Sequence, residues 1–487
     1  MMSTTLITGR PWRVILTFAI PLLIGNVVQQ LYQFTDSIVV GRYLGVTSFA
    51  AVGASGSLLF LLLGLAWGMA SGFAIPTAQA FGAGDERAVR RSVAAGTILS
   101  AAVTVVVTII GPLLARPILL LLQTPTELLD DATVFAQVSF LGIVGTMFFN
   151  YLAAIIRAIG DSRTPLIFIT IACALNVVLV ILMVGPWGWG VAGAALSTVI
   201  SQGFSSLLCL IYMWRKLPVL HVRREDWKVT GAELREHLRL GLPMGFQSSI
   251  VAIGTLIVQV ALNRLGSDAV AAYTAASRVD SLGVAFLASL GLAASMYTAQ
   301  NLGARRPDRI RRGVSQAVIM SITVAVVIGV LFIFGGAAIV RLFIGDGSDE
   351  VVDLAHLMLI INGSTYSLLA TLFVLRGVLQ GLGQALIPTI TGAIELVARV
   401  IAAILLSGLW EFTGVAWSNP LAWFGAVVLL VPAYLKAHKR LAHLRVAPDF
   451  ATETTPIAVI GPVDGSMVVD AVATAVVRVP KRRRSRR

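Results

Sequence analysis

Asp36 is the one formal charge between Arg13 and Arg42, inside an otherwise apolar and uncharged-polar run. A carboxylate in such a run is costly, so it marks an ion or proton path by default. Asn26, Gln29 and Gln33 precede it at steps of three and four residues, which on a helix puts all four on one face. A polar stripe of this kind belongs against a wet interior rather than lipid. Desolvation favours the neutral acid, whereas water or a cation favours the carboxylate. An Asp36 that alternates between those surroundings can couple binding of a proton or a sodium ion to a change of shape. The plainer alternative is an interfacial acid near the helix end, paired with Arg42.

A second polar face carries Thr255, Gln259 and Asn263 at four-residue steps and no charge. It can hold a substrate by hydrogen bonds or simply line a shared cavity. Asp280 lies near Arg278, where an internal ion pair would satisfy both groups. Glu395 and Arg399 stand four apart, the spacing of a pair on one helix face, and their default role is structural. No catalytic constellation is present: His-Glu-x-x-His does not occur and the five histidines do not cluster. Cys173 and Cys209 sit in apolar segments as small packing residues. No metal site and no cofactor are expected beyond a transported coupling ion, and no enzyme.

The elements that must position these residues follow from composition. The chain has 487 residues, 57% of them hydrophobic and 13% charged, with a mean hydropathy of +0.87. That much apolar surface cannot be hidden in one soluble core, so the fold class is an all-α polytopic membrane protein. Barrel-type alternation is absent. Apolar runs separated by charged or Gly/Pro-rich breaks predict twelve transmembrane helices, near 14–40, 49–81, 92–115, 131–157, 164–184, 190–214, 239–263, 268–301, 314–340, 351–379, 386–408 and 413–435. Arg10 and Arg13 before the first run imitate a secretory signal, but that run is too long and carries Asp36, so it reads as a permanent helix. The net charge of +13 sits mostly in short loops and the two ends. Topology accounts for it better than nucleic acid does. Arg87, Arg90, Arg91, then Arg215, Lys216, Arg223, Arg224, Lys228, then Arg305, Arg306, Arg309, Arg311 and Arg312 fall on one side, and the positive-inside rule puts that side and both termini in the cytoplasm of a cell membrane protein.

The chain is also duplicated. Ala78-Gln79-Ala80-Phe81-Gly82-Ala83 returns 221 positions later as Ala299-Gln300-Asn301-Leu302-Gly303-Ala304, and Arg90-Arg91 as Arg311-Arg312. Gly160 with Pro165 matches Gly383 with Pro388, and Gly190-Val191-Ala192 matches Gly414-Val415-Ala416. Residues 1–214 and 239–435 therefore form two six-helix bundles related as a parallel internal repeat, with a site between the halves. Residues 215–238 are the inter-lobe linker, and 436–487 a basic tail expected to be disordered, its end able to touch anionic lipid or merely solvated. In this alignment Asn176 occupies the position of Arg399, so the two lobes differ in chemistry at one scaffold position.

Pro21 with Asp36, Leu44-Gly45, the paired Ala-Gln-x-x-Gly-Ala motif, Gly160 to Pro165, and Gly190-Val191-Ala192-Gly193-Ala194-Ala195 together resemble the multidrug and toxic compound extrusion (MATE) transporters over about residues 10–440. The resemblance implies a V of two bundles around a central cavity and export of organic cations or other amphiphiles in exchange for protons or sodium. Asp36, Asn176 and Thr198 match the first-helix aspartate, fifth-helix asparagine and sixth-helix threonine of the prokaryotic branch related to the DNA-damage-inducible transporters, and Pro21 its hinge proline. That branch often has an aspartate where this chain has Val180, and the seventh helix lacks the acid used by the branch that couples through the second half. The expectation is a monomeric proton antiporter coupled through Asp36, with sodium second, membrane lipid and small amphiphilic or cationic substrates as partners, and Asn26, Gln29, Gln33, Thr255, Gln259, Asn263 and Asp280 in the cavity. A lipid or polysaccharide-precursor flippase of the same superfamily is the rival reading, and an intramembrane enzyme or receptor a more distant one.

Overall fold

The structure, a computed structural model, describes residues 6–122, 124–344 and 348–443, without the side chains at 33, 46, 57, 61, 62, 251, 252, 255 and 256. The side chains of Gln33 and Thr255, and the tail from 444, thus lie outside the described residues. Every regular element among the described residues is helical. The first half comprises α1 (Pro11–Gly45), α2 (Thr47–Gly82), α3 (Glu86–Leu121), α4 (Thr126–Leu141 and Ile143–Ala158, bent by 49°), α5 (Arg163–Val184) and α6 (Gly190–Lys216). The second comprises α7 (Gly231–Leu265), α8 (Ser267–Gly303), α9 (Pro307–Ile344), α10 (Asp349–Gly381), α11 (Leu386–Ala416) and α12 (Ser418–His443).

Ten of these helices are long and apolar enough to cross a membrane, and bent α4 makes an eleventh. The twelfth is α7, which trades apolar residues for Gln247, Ser248, Gln259 and Asn263 and packs closely against α2. Helix ends run beyond the apolar runs because charge does not stop a helix when a cap is available. Thr230 and Glu233 form a capping box that starts α7 at Gly231, and Asp85 accepts from the Ala88 amide at 2.9 Å to start α3. The connection between the halves is accordingly residues 217–230, shorter than 215–238, and α12 continues eight residues past 435 to His443.

The duplication holds in the backbone. Gly45 and Gly266, 221 positions apart, both break their helix pairs at positive φ (87° and 103°). Gly84 (φ 73°) has its counterpart in Arg305 (φ 51°), a side-chain-bearing residue held in a conformation that costs roughly 1–2 kcal/mol for L-residues.

The halves meet through small residues. Gly72 of α2 has no room for a β-carbon against Gly241 of α7, nor does Gly82 against the Gln300 carbonyl or Gly303 against that of Gln79. Backbones approach this closely only where side chains are absent. The repeated glutamines then cross between halves in matching fashion: Gln79 Nε2 donates to the Gly381 carbonyl at 3.0 Å and Gln300 Nε2 to the Ala158 carbonyl at 2.7 Å. Arg90 to Asp226 (3.2 Å), Arg91 to Glu233 (2.7 Å) and Ser92 to His237 (2.9 Å) bind α3 to the linker and the head of α7. The duplicated motif thus fastens the two halves together at the end that carries the basic loops.

Candidate functional site

Asp36 lies in the first bundle, between α1, α5 and α6. Thr198 of α6 donates its hydroxyl to Asp36 Oδ2 at 3.1 Å, and Asn176 of α5 faces the same carboxylate. Asn176 itself is fully buried and donates Nδ2 to Ser197 Oγ at 3.2 Å. The three residues expected to act together are therefore brought together. Two more join them that the sequence reading did not name: Tyr32, one turn before Asp36 and buried, and Gln202, one turn after Thr198. The period of four from Asp36 and from Thr198 was the signal for both.

The bonding within this cluster is lopsided. Asp36 Oδ1, Asn176 Oδ1, Gln202 Oε1 and the Tyr32 hydroxyl are buried without a hydrogen-bond partner among the described residues. Three of these four atoms are acceptors only. An unmatched buried acceptor costs about 1–3 kcal/mol, so a buried group of them needs an explanation. A proton on Asp36 turns one acceptor into a donor for a neighbouring one, relieving two at once, and a hard cation can be shared among several oxygens. Beyond Asp36, Val39, Val40, Val180, Val184 and Ala194 form a small apolar cluster that closes the site on that side. Val180, where an acid was a possibility, packs in this plug.

The polar stripe of α1 turns two ways. Asn26 Nδ2 donates to Ser289 Oγ of α8 at 3.1 Å, and Gln30 Oε1 accepts from Ser281 Oγ of α8 at 3.1 Å. Asp36, roughly 80° from Asn26 and about 120° from Gln30 at 100° per residue, faces α6 instead. Gln29 is half-buried between the two directions. Pro21 is buried and deprives the Thr17 carbonyl of a helical donor, yet the backbone through it stays helical, and within the continuous helical run from Pro11 to Gly82 only Gly45 departs.

In the second bundle the acids are satisfied. Asp280 Oδ1 accepts from the Tyr366 hydroxyl at 2.6 Å and from Asn362 Nδ2 at 3.0 Å. Arg278 does not pair with it but lies over the Phe34 ring of α1 at 5.0 Å. Two residues apart on a helix point in opposite directions, which corrects the expected Asp280–Arg278 pair. Glu395 pairs with Arg376 of α10, not with Arg399. The spacing of four permits a same-helix pair, but a buried cation on the facing helix competes for the acid and takes it. Arg376 is a lone cation in an apolar helix, a signal as strong as Asp36 and overlooked. Arg399 is buried beside Gly254, its Nε without a partner among the described residues. Just beyond it α11 takes a π-turn at Ala402–Leu406. Gln259 Nε2 donates to Asn263 Oδ1 at 2.9 Å on an exposed face of α7, so those two polar groups satisfy each other. Among the described residues no three His, Cys, Asp or Glu side chains converge as a metal site.

The family model MatE matches residues 21–182 and again 243–405, one copy on each half. The probable multidrug resistance protein YoeA of Bacillus subtilis is 29% identical over 433 residues, 87% of this chain and 93% of its own. The multidrug export protein MepA of Staphylococcus saprophyticus is 25% identical, with 82% of this chain and 88% of its own covered. A MOP superfamily transporter from Pyrococcus furiosus superposes with a TM-score of 0.83 at 23% identity, over 91% of this chain and 99% of that one. An outward-facing multidrug resistance MATE family transporter gives the same values, and both show the shared fold. Two copies of one family model on two copies of one bundle, spanning most of the chain, leave a single assignment: this is a multi-pass membrane transporter, and it belongs to the MATE family.

Proposed function

We propose that the chain is a secondary active efflux antiporter that exports organic cations or other amphiphiles in exchange for protons carried by Asp36. The observation behind this reading is the half-buried carboxylate with one oxygen held by Thr198 and the other unmatched, amid further acceptor oxygens that a proton or a cation can reconcile. The multidrug names of relatives that match over most of both chains support the substrate class. With the basic loops in the cytoplasm, the fastened ends are the inner ends, and the cavity opens outward. Protonation of Asp36 from outside then releases it from Thr198, shifts α1 relative to α6, and favours discharge of the cationic substrate. Rocking of the bundles returns the site to the inside, where the proton leaves. Sodium is a second reading, favoured by the number of oxygen acceptors around the carboxylate.

The test uses proteoliposomes loaded with a cationic dye and given a proton gradient or a sodium gradient separately. Efflux is expected with the proton gradient alone, and Asp36→Asn should reduce it to the protein-free rate while dye binding persists. Efflux in the wild type that follows the sodium gradient alone would replace the proton by sodium, and full proton-driven efflux in Asp36→Asn would refute the role of Asp36.

A further inference from the structure

The duplicated arginine pair has different fates in the two halves. Arg90 meets Glu86 at 3.4 Å and Asp226 at 3.2 Å, and Arg91 meets Glu233 at 2.7 Å. Their counterparts Arg311 and Arg312 have no carboxylate within ion-pair distance among the described residues. Arg311 donates Nε to His438 Nε2 of α12 at 3.0 Å, and the other ring nitrogen of His438 meets the Tyr434 hydroxyl at 3.1 Å. This leaves the rest of the Arg311 guanidinium, and all of Arg312, facing outward from the first turns of α9.

What they face is a cavity of about 520 Å³, lined by Asp308, Arg311, Arg312, Ser315, Gln316 and His438. It lies at the end of the bundle that carries the basic loops. Two observations put it at the edge of the hydrocarbon. Trp12, 39% exposed, donates its amide to Gln316 Oε1 at 3.0 Å, and the Arg13 guanidinium lies over its ring at 5.3 Å, the amphipathic pairing of an interfacial belt. One turn further along each wall, Ile319 of α9 and Leu435 of α12 are 66% and 51% exposed, an apolar surface leading away from the polar cavity.

We infer that this cavity binds the headgroup of a glycerophospholipid, its phosphodiester on Arg311 and Arg312 and its acyl chains along Ile319 and Leu435. The two guanidinium groups supply the donors a phosphate needs, and basic pockets between helices at this depth suit phosphate-bearing lipids. Asp308 narrows the class. It lines the same cavity, is exposed, and makes no ion pair with Arg311 or Arg312 although it stands three and four residues before them. A bare anion would be repelled by it. A headgroup whose phosphate is followed by an N–H or O–H donor, ethanolamine or glycerol, satisfies the arginines and the acid together, whereas trimethylated choline offers Asp308 no hydrogen. This site is separate from Asp36 and does not depend on the transport reading.

The purified full chain is titrated in detergent with phosphatidylethanolamine, phosphatidylglycerol or phosphatidylcholine, and the first bound lipid is counted by native mass spectrometry. Ethanolamine and glycerol lipids are expected to bind more tightly than the choline lipid. The double variant Arg311→Gln/Arg312→Gln should weaken that first lipid about thirtyfold, roughly fivefold for each arginine. Arg215→Gln/Lys216→Gln, which removes the same charge from the same end, should change it by less than about twofold. Should the arginine variant fail to fold, Asp308→Asn carries the test: it is expected to bind the choline lipid as well as the other two. Equal weakening by both double variants, or equal binding of all three lipids to the wild type, would overturn the inference. Displacement of the first lipid by millimolar inorganic phosphate would assign the arginines to a soluble phosphate compound and overturn the lipid.

Discussion

The interiors of the two bundles carry the same scaffold and opposite bonding. In the first, Asp36 has a neutral neighbourhood of Tyr32, Asn176, Thr198 and Gln202, and one carboxylate oxygen is left over. In the second, Asp280 has Tyr366 and Asn362, Glu395 has Arg376, and the group left over is the cation Arg399. The position that is Asn176 in one half is Arg399 in the other. The three acids are thus distinguished by their partners, with Asp36 half-buried and Asp280 and Glu395 buried. A satisfied acid fixes a structure, and an acid with an unmatched oxygen can change its protonation without breaking a network.

The largest effect that can break this comparison is on coupling. Asp36→Asn should abolish gradient-driven efflux, whereas Asp280→Asn keeps an acceptor for Tyr366 and Asn362 and should leave efflux within about twofold. Loss of coupling in Asp280→Asn with retained stability would mean that the second bundle also carries the ion. Next is stability. Glu395→Gln strands Arg376 and should cost about 3–5 kcal/mol, read as a lowered melting temperature in detergent, while Asp36→Asn, which strands nothing, should not lower it. Thr198→Ala removes a hydrogen bond to a charged group, worth about 1.5–3 kcal/mol. It should slow proton-driven efflux severalfold in proteoliposomes, because the Asp36 carboxylate loses the donor that holds it. The smallest test concerns the turns between the repeats. Gly84→Ala should cost about 1 kcal/mol of stability, and Arg305→Ala, already in the left-handed region, close to nothing.

Much of this was legible in the sequence. The duplication follows from matching two segments of the chain, the twelve spans and Asp36 from patterns within single segments, and those patterns survive in the structure. Asn176 and Thr198 came from resemblance and stand beside Asp36. The misses are contacts between helices. Spacing within α11 suggested Arg399 for Glu395, but Arg376 on α10 takes that role, and no periodicity in one helix can announce the helix packed against it. Spacing in α1 suggested one stripe, yet neighbours on two sides divide it, with Asn26 and Gln30 turned to α8 and Asp36 to α6. The Gln79 and Gln300 crossings escaped for the same reason. Repetition alone cannot tell whether a repeated glutamine serves its own bundle or the other one.

The central claim is that one acid, Asp36, carries the coupling ion and that Asp280 and Glu395 do not. Proton movement into dye-loaded proteoliposomes, recorded with an internal pH indicator while efflux runs, tests it most directly. The account predicts inward proton flux that accompanies efflux in the wild type and in Asp280→Asn and is absent in Asp36→Asn. Efflux-linked proton flux that persists in Asp36→Asn and disappears in Asp280→Asn would contradict it.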